Sequence, residues 1–121
     1  MAKILIIEDD KFLRELMIKK LETAGYGALG AVDGEEGIKK AQKERPALIL
    51  LDLVLPGMDG FEVLAKLKQE KATNSIPVVI LSNLGQQEDI DKAAQLGAIE
   101  YLIKANFTPG EIIEKIKSIM K

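Results

Sequence analysis

The sequence predicts an α/β fold, a five-stranded parallel sheet with helices on both faces. Three observations carry that expectation. Short apolar runs alternate five times with amphipathic stretches, the pattern of strand–helix repeats. The strongest apolar runs are near-continuous rather than alternating, as strands covered on both faces read. Helix-start signals recur ahead of the amphipathic stretches: Asp33 with Glu36, Asp59 with Glu62, and Thr108 with Glu111 each form the pattern of a capping box.

The elements follow in order. Residues 3–7 form the first apolar strand. Residues 11–24 read as a helix, with Leu13, Leu16, Met17, Leu21 and Ala24 at helical spacing and Gly25 as the stop. Residues 26–32 make a glycine-containing strand, and the helix capped by Asp33 ends before Pro46. Residues 47–54 are strongly apolar apart from Asp52, so a central strand is predicted through about Asp52. Pro56 to Gly60 is a loop by composition, and a helix then runs from the Asp59 cap to about Glu70. Residues 76–81 are the fourth strand, 86–96 the fourth helix with Gly97 as its end, and 98–103 the fifth strand. The last helix starts at Thr108-Pro109, with proline at its first position. Ile112, Ile113, Ile116, Ile119 and Met120 form its buried stripe. Ala93 and Leu96 in the fourth helix read as packing residues.

With 121 residues, one domain spanning 1–121 is expected. Apolar residues make up 47% and charged residues 30%, the balance of a globular chain rather than a disordered one. A net charge of −2 offers no basic face for nucleic acid. Cysteine and histidine are both absent, which excludes disulfides, thiolate chemistry and the commonest general base. The first apolar run is too short for a signal peptide and no stretch approaches a membrane span, so the cytoplasm is the expected location.

Five strands suit the flavodoxin-like order 2-1-3-4-5, whose ligand site lies at the carboxyl ends of strands one and three. Strand one ends in Glu8-Asp9-Asp10 and strand three in Asp52. Taken alone, the first three are favourable acids at a helix start. Asp52 is different, because an unpaired acid buried in an apolar strand is costly. Converging carboxylates repel one another, and a hard cation such as Mg²⁺ resolves that repulsion through oxygen ligands. Without the metal, neutralising one of these acids is expected to raise stability. Strand four ends in Ser82-Asn83 and strand five in Lys104. An acid nucleophile, a metal, a hydroxyl and an ammonium together suit phosphoryl transfer.

The ordered set Glu8-Asp9, Asp52, Pro56, Asp59-Gly60, Ser82, Tyr101 and Lys104 resembles the response-regulator receiver family of two-component signalling, over essentially the whole chain. The resemblance implies a stand-alone receiver. Asp52 would be the phosphoacceptor. Asp9, Asp52 and the backbone carbonyl of Val54 would bind Mg²⁺, with Glu8 acting through water. Ser82, Lys104 and Tyr101 would bind and report the phosphoryl group. It further implies a histidine kinase or phosphotransfer protein as donor, and an output protein docking on helix four, strand five and helix five, near Tyr101 and Phe107. The domain would catalyse at most its own phosphorylation and dephosphorylation. Arg14 matches a frequent basic position in helix one and reads as surface charge. Three positions depart from the family pattern. Asn83 follows the switch hydroxyl, where a small residue is usual. Ala105 stands where proline is usual, and Asn106 lengthens the loop before Phe107. A trans Lys104–Ala105 bond is therefore expected, since a non-proline cis bond costs about 2.5–4 kcal/mol.

Three other readings compete. A flavin-binding scaffold needs an anion-binding loop where this chain has three acids. A phosphatase of the haloacid-dehalogenase type has a second acid where this chain has Val54. A degenerate or engineered receiver would fold without signalling.

Overall fold

The computed structural model describes all 121 residues. Five parallel strands are β1 (Lys3–Ile7), β2 (Gly27–Ala31), β3 (Leu48–Leu51), β4 (Val78–Ser82) and β5 (Glu100–Ile103). The helices between and after them are α1 (Lys11–Thr23), α2 (Gly34–Glu44), α3 (Gly60–Gln69), α4 (Gln87–Gln95) and α5 (Pro109–Met120). The sheet order is β2-β1-β3-β4-β5, as the sequence predicts.

Side chains along a strand point alternately to the two faces, and each face buries its own core. Leu5, Ile7, Ile49, Leu51, Val78 and Ile80 pack against Ile38, Val63, Leu64, Leu67 and Ala93 of α2, α3 and α4. Ile4, Ile6, Leu48, Leu50, Val79 and Leu81 pack against Met17, Leu21, Ile112, Ile113 and Ile116 of α1 and α5. The near-continuous apolar strands are thus explained by burial on both sides. Leu96 packs at the edge of the first core, and Phe107, Ile119 and Met120 at the edge of the second.

The boundaries differ from the expected ones by local chemistry. Pro77 lacks an N–H, so β4 begins at Val78, although the Pro77 carbonyl still accepts from the Ile49 amide at 3.0 Å. Leu53 and Val54 leave the sheet because the chain turns into the loop before α3. Of the three predicted capping boxes only Thr108–Glu111 is reciprocal. Asp33 caps α2 through the Glu36 amide, while the Glu36 carboxylate reaches back to Val32 rather than to Asp33. Asp59 caps α3 through the Glu62 amide alone. After β5, residues Lys104–Asn106 form one 3₁₀ turn and every peptide bond is trans, Lys104–Ala105 included. No helix is long and apolar enough to cross a membrane.

Candidate functional site

Sheet register builds the site. Ile7 pairs with Leu51, and the Asp52 amide donates to the Ile7 carbonyl at 3.0 Å, so Glu8 and Asp52 leave the sheet side by side. Ser82 pairs with Ile103 at the ends of β4 and β5, which delivers Lys104 to the same edge. A cleft of about 330 Å³ results, lined by Glu8, Asp9, Asp10, Asp52, Val54, Asn83 and Lys104. Larger grooves elsewhere, between α1 and α5 and along α5, hold no cluster of three converging acids.

Gly60 sets the loop that follows Asp52. Its amide donates to the Leu53 carbonyl at 2.9 Å, and a Cβ at this position would overlap Leu53 Cα and the Asp52 carbonyl. Only glycine lets α3 start this close to β3.

Asp52 is 5% exposed and both its oxygens are engaged. Oδ1 accepts from the Val54 amide at 3.1 Å, and Oδ2 pairs with Lys104 Nζ at 2.8 Å. Lys104 also pairs with Glu8 Oε1 at 2.6 Å, and Glu8 Oε2 accepts from the Asp10 amide at 3.1 Å. One ammonium therefore lies between two buried carboxylates. Burial pushes the Glu8 carboxyl above its ordinary value, against the pull of Lys104 and the Asp10 amide. Burial alone would lower the Lys104 ammonium, but its hydrogen bonds to Asp52 and Glu8 outweigh that and hold it above its ordinary value.

One carboxylate oxygen each from Glu8, Asp9 and Asp52 lies within 4.8 Å of the others. Three hard oxygen donors in an open cleft fit a divalent cation that keeps part of its water. Asp9 is exposed, and its carboxylate accepts no hydrogen bond from the protein. Val54 is exposed at the cleft mouth.

The remaining predicted residues stand around this cleft. Ser82 is fully buried behind its wall, with Oγ accepting from the Leu84 amide at 3.3 Å. The Tyr101 hydroxyl donates to the Leu84 carbonyl, tying β5 to the same β4–α4 loop. Burial raises the Tyr101 phenol, and Asp89 and Asp52 add to the effect. Two residues, one lining the cleft and one behind it, were given no role there by the sequence reading. Asn83 lines the cleft, and its position directly after Ser82 was the available signal. Arg14, expected as surface charge, is half-buried and donates from Nη1 to the Glu8 carbonyl at 2.7 Å.

The chain is similar to known proteins over nearly its whole length. Residues 4–117 match the profile of the response regulator receiver domain. The alkaline phosphatase synthesis transcriptional regulatory protein PhoP of Bacillus subtilis is 38% identical over 119 residues, covering 98% of this chain and 48% of that protein. The chain spans about half the length of the curated relatives it matches. Among solved structures, the Vibrio cholerae chemotaxis protein CheY4 superposes with a TM-score of 0.90 at 30% identity, covering 98% of each chain. The Mn²⁺-bound response regulator Rcp1 gives 0.78 at 34% identity, covering 86% of this chain and 81% of that one. With its sheet order, its acidic strand ends and these matches taken together, the chain belongs to the response regulator receiver domain family.

Proposed function

We propose that this domain accepts a phosphoryl group on Asp52 and passes the event on as a change of docking surface. The observation that carries the reading is a single carboxylate, buried at the end of a central strand, with two more acids and one ammonium converging on it.

An Asp52 oxygen attacks the phosphorus of a phosphohistidine or a small acyl phosphate. The new O–P bond forms as the donor's N–P or O–P bond breaks, and the leaving group departs with that electron pair. The product is an acyl phosphate on Asp52. The Val54 amide orients the carboxylate through Oδ1. Lys104, already at Asp52, pairs with the arriving phosphoryl oxygens. Asp9, Asp52 and the Val54 carbonyl would hold Mg²⁺, with Glu8 acting through water. The bound ion supplies charge neutralisation for the transferring group. Rcp1, a relative with the same fold, is described with Mn²⁺ bound, which supports a divalent site.

Ser82 would turn its hydroxyl to the phosphoryl group, and Tyr101 would report the rearrangement of the β4–α4 loop. A histidine kinase or phosphotransfer protein is the donor this chemistry suits, and α4, β5 and α5 form the proposed output face. The domain then acts as a signalling element that catalyses at most its own phosphorylation and dephosphorylation.

The test is mass spectrometry after incubation with a small acyl phosphate. One phosphoryl group is expected with Mg²⁺, and none in chelator or in Asp52→Asn. Stoichiometric labelling of Asp52→Asn would refute the assignment.

A further inference from the structure

The three cleft acids whose carboxylate oxygens converge, Glu8, Asp9 and Asp52, are not held equally. Glu8 is fixed by Lys104 and by the Asp10 amide, and Asp52 by Lys104 and the Val54 amide. The Asp9 carboxylate has no such anchor, so its place depends on the backbone that carries it. That backbone begins with the Glu8–Asp9 peptide. The Glu8 amide donates to Ala31 of β2 at 3.0 Å, and the Glu8 carbonyl receives the Arg14 guanidinium at 2.7 Å. The Arg14 amide in turn donates to the Asp10 carbonyl at 2.9 Å, so both its backbone and its side chain brace this turn. The arginine stem has a seat of its own. A Cβ added at Gly30 of β2 would sit 3.0 Å from Arg14 Cδ, so the missing side chain at Gly30 leaves the groove the stem lies in.

We infer that Arg14 is a positioning residue for the divalent cation. By clamping the Glu8 carbonyl it fixes the peptide from which Asp9 projects into the cleft. The inference rests on the metal-dependent reading above. Arg14 makes no hydrogen bond or ion pair with the reacting carboxylate or with a cleft-lining side chain. Its loss therefore weakens cation binding and leaves the saturated chemistry intact. A bonded partner standing behind a ligand is worth about 10–100-fold in metal affinity, and Arg14 acts through one peptide, so the lower figure applies. Lysine at this position keeps the stem and one donor but loses the planar fork, so it restores most of the effect rather than all of it.

The experiment is isothermal titration of the whole chain with MgCl₂, for wild type, Arg14→Met and Arg14→Lys, alongside acyl-phosphate labelling rates across the same Mg²⁺ range. Arg14→Met is expected to bind Mg²⁺ about tenfold more weakly. Its labelling rate at saturating Mg²⁺ should equal that of wild type, with the half-saturating concentration shifted by the same factor. Arg14→Lys is expected between the two. If Arg14→Met does not fold in chelator, Arg14→Gln is titrated in its place with the same expectation. Wild-type Mg²⁺ affinity in Arg14→Met or Arg14→Gln overturns the inference, whatever their melting temperatures. A wild-type chain that itself takes up no Mg²⁺ overturns the metal-dependent reading instead, which separates the two failures.

Discussion

Lys104 illustrates what a single side chain does here before any ligand arrives. Its ammonium lies 2.6 Å from Glu8 and 2.8 Å from Asp52, both nearly fully buried. Removing one partner of a buried ion pair leaves the other charge uncompensated. Lys104→Met is therefore expected to destabilise the metal-free protein by about 3 kcal/mol, the lower end for a buried pair because the ammonium is partly exposed. Urea denaturation in chelator measures this, and Mg²⁺ should shrink the difference. A loss below about 1 kcal/mol would mean that the contact behaves as a surface pair. The sequence placed this lysine at the strand end but could not foresee the bond to Glu8, which depends on the reach of two long side chains. Tyr101 gives a pH signature. Its phenol is raised by burial and by Asp89 and Asp52, so the folded state holds the proton more tightly than the unfolded chain. The associated stability is fully present below the ordinary value of 10.0 and is lost as pH rises through the folded value. In an alkaline absorbance titration, the Tyr101 phenolate should appear above pH 10.0 in the native protein and at lower pH in urea. Tyr101→Phe should abolish that late step, and a late step that persists in this variant contradicts the assignment.

At the scale of elements, the loop from β3 to α3 decides where Asp52 sits. Gly60→Ala forces a methyl group into Leu53 and the Asp52 carbonyl, where no flexible side chain can give way. Overpacking of this kind costs about 1–3 kcal/mol, and backbone on both sides puts Gly60 at the upper end. Chemical denaturation should show that loss, and a variant as stable as wild type would mean that the loop can re-form around a larger residue. Most elements were legible in the sequence because burial on both faces writes itself as an unbroken apolar run, and because caps such as Asp59 and Thr108 mark helix starts. What was not legible depends on atoms far apart in the chain. The reach of Glu36 to Val32 rather than Asp33, the 3₁₀ turn at Lys104–Asn106, and the packing of Arg14 across Gly30 each need the folded backbone before they can be seen. Asn83 lay at a strand end that the topology rule already pointed to, and only its role as cleft lining was missed.

Across the whole molecule, two cores hold a sheet whose carboxyl edge gathers excess negative charge. One ammonium pairs with two of the three converging carboxylates, Glu8 and Asp52, and Asp9 has no ion pair. Asp9 is exposed, so water screens its repulsion from the other acids to about 1 kcal/mol at this separation, and Asp9→Asn should stabilise the metal-free protein by about that amount. Millimolar Mg²⁺ should raise the melting temperature of wild type and do little for Asp9→Asn, since a ligand stabilises only the state that binds it. Equal Mg²⁺ gains in both proteins would exclude Asp9 from the site. The central claim, that Asp52 carries the phosphoryl group, is tested most directly by locating the modification. An acyl phosphate is reduced by borohydride to an alcohol, which converts a phosphorylated aspartate to homoserine. After labelling with Mg²⁺ and an acyl phosphate, reduction and tandem mass spectrometry, homoserine is predicted at position 52 and nowhere else. Homoserine at Asp9 or Asp10, phosphate retained on Ser82, or an unmodified Asp52 in a labelled protein would contradict the account.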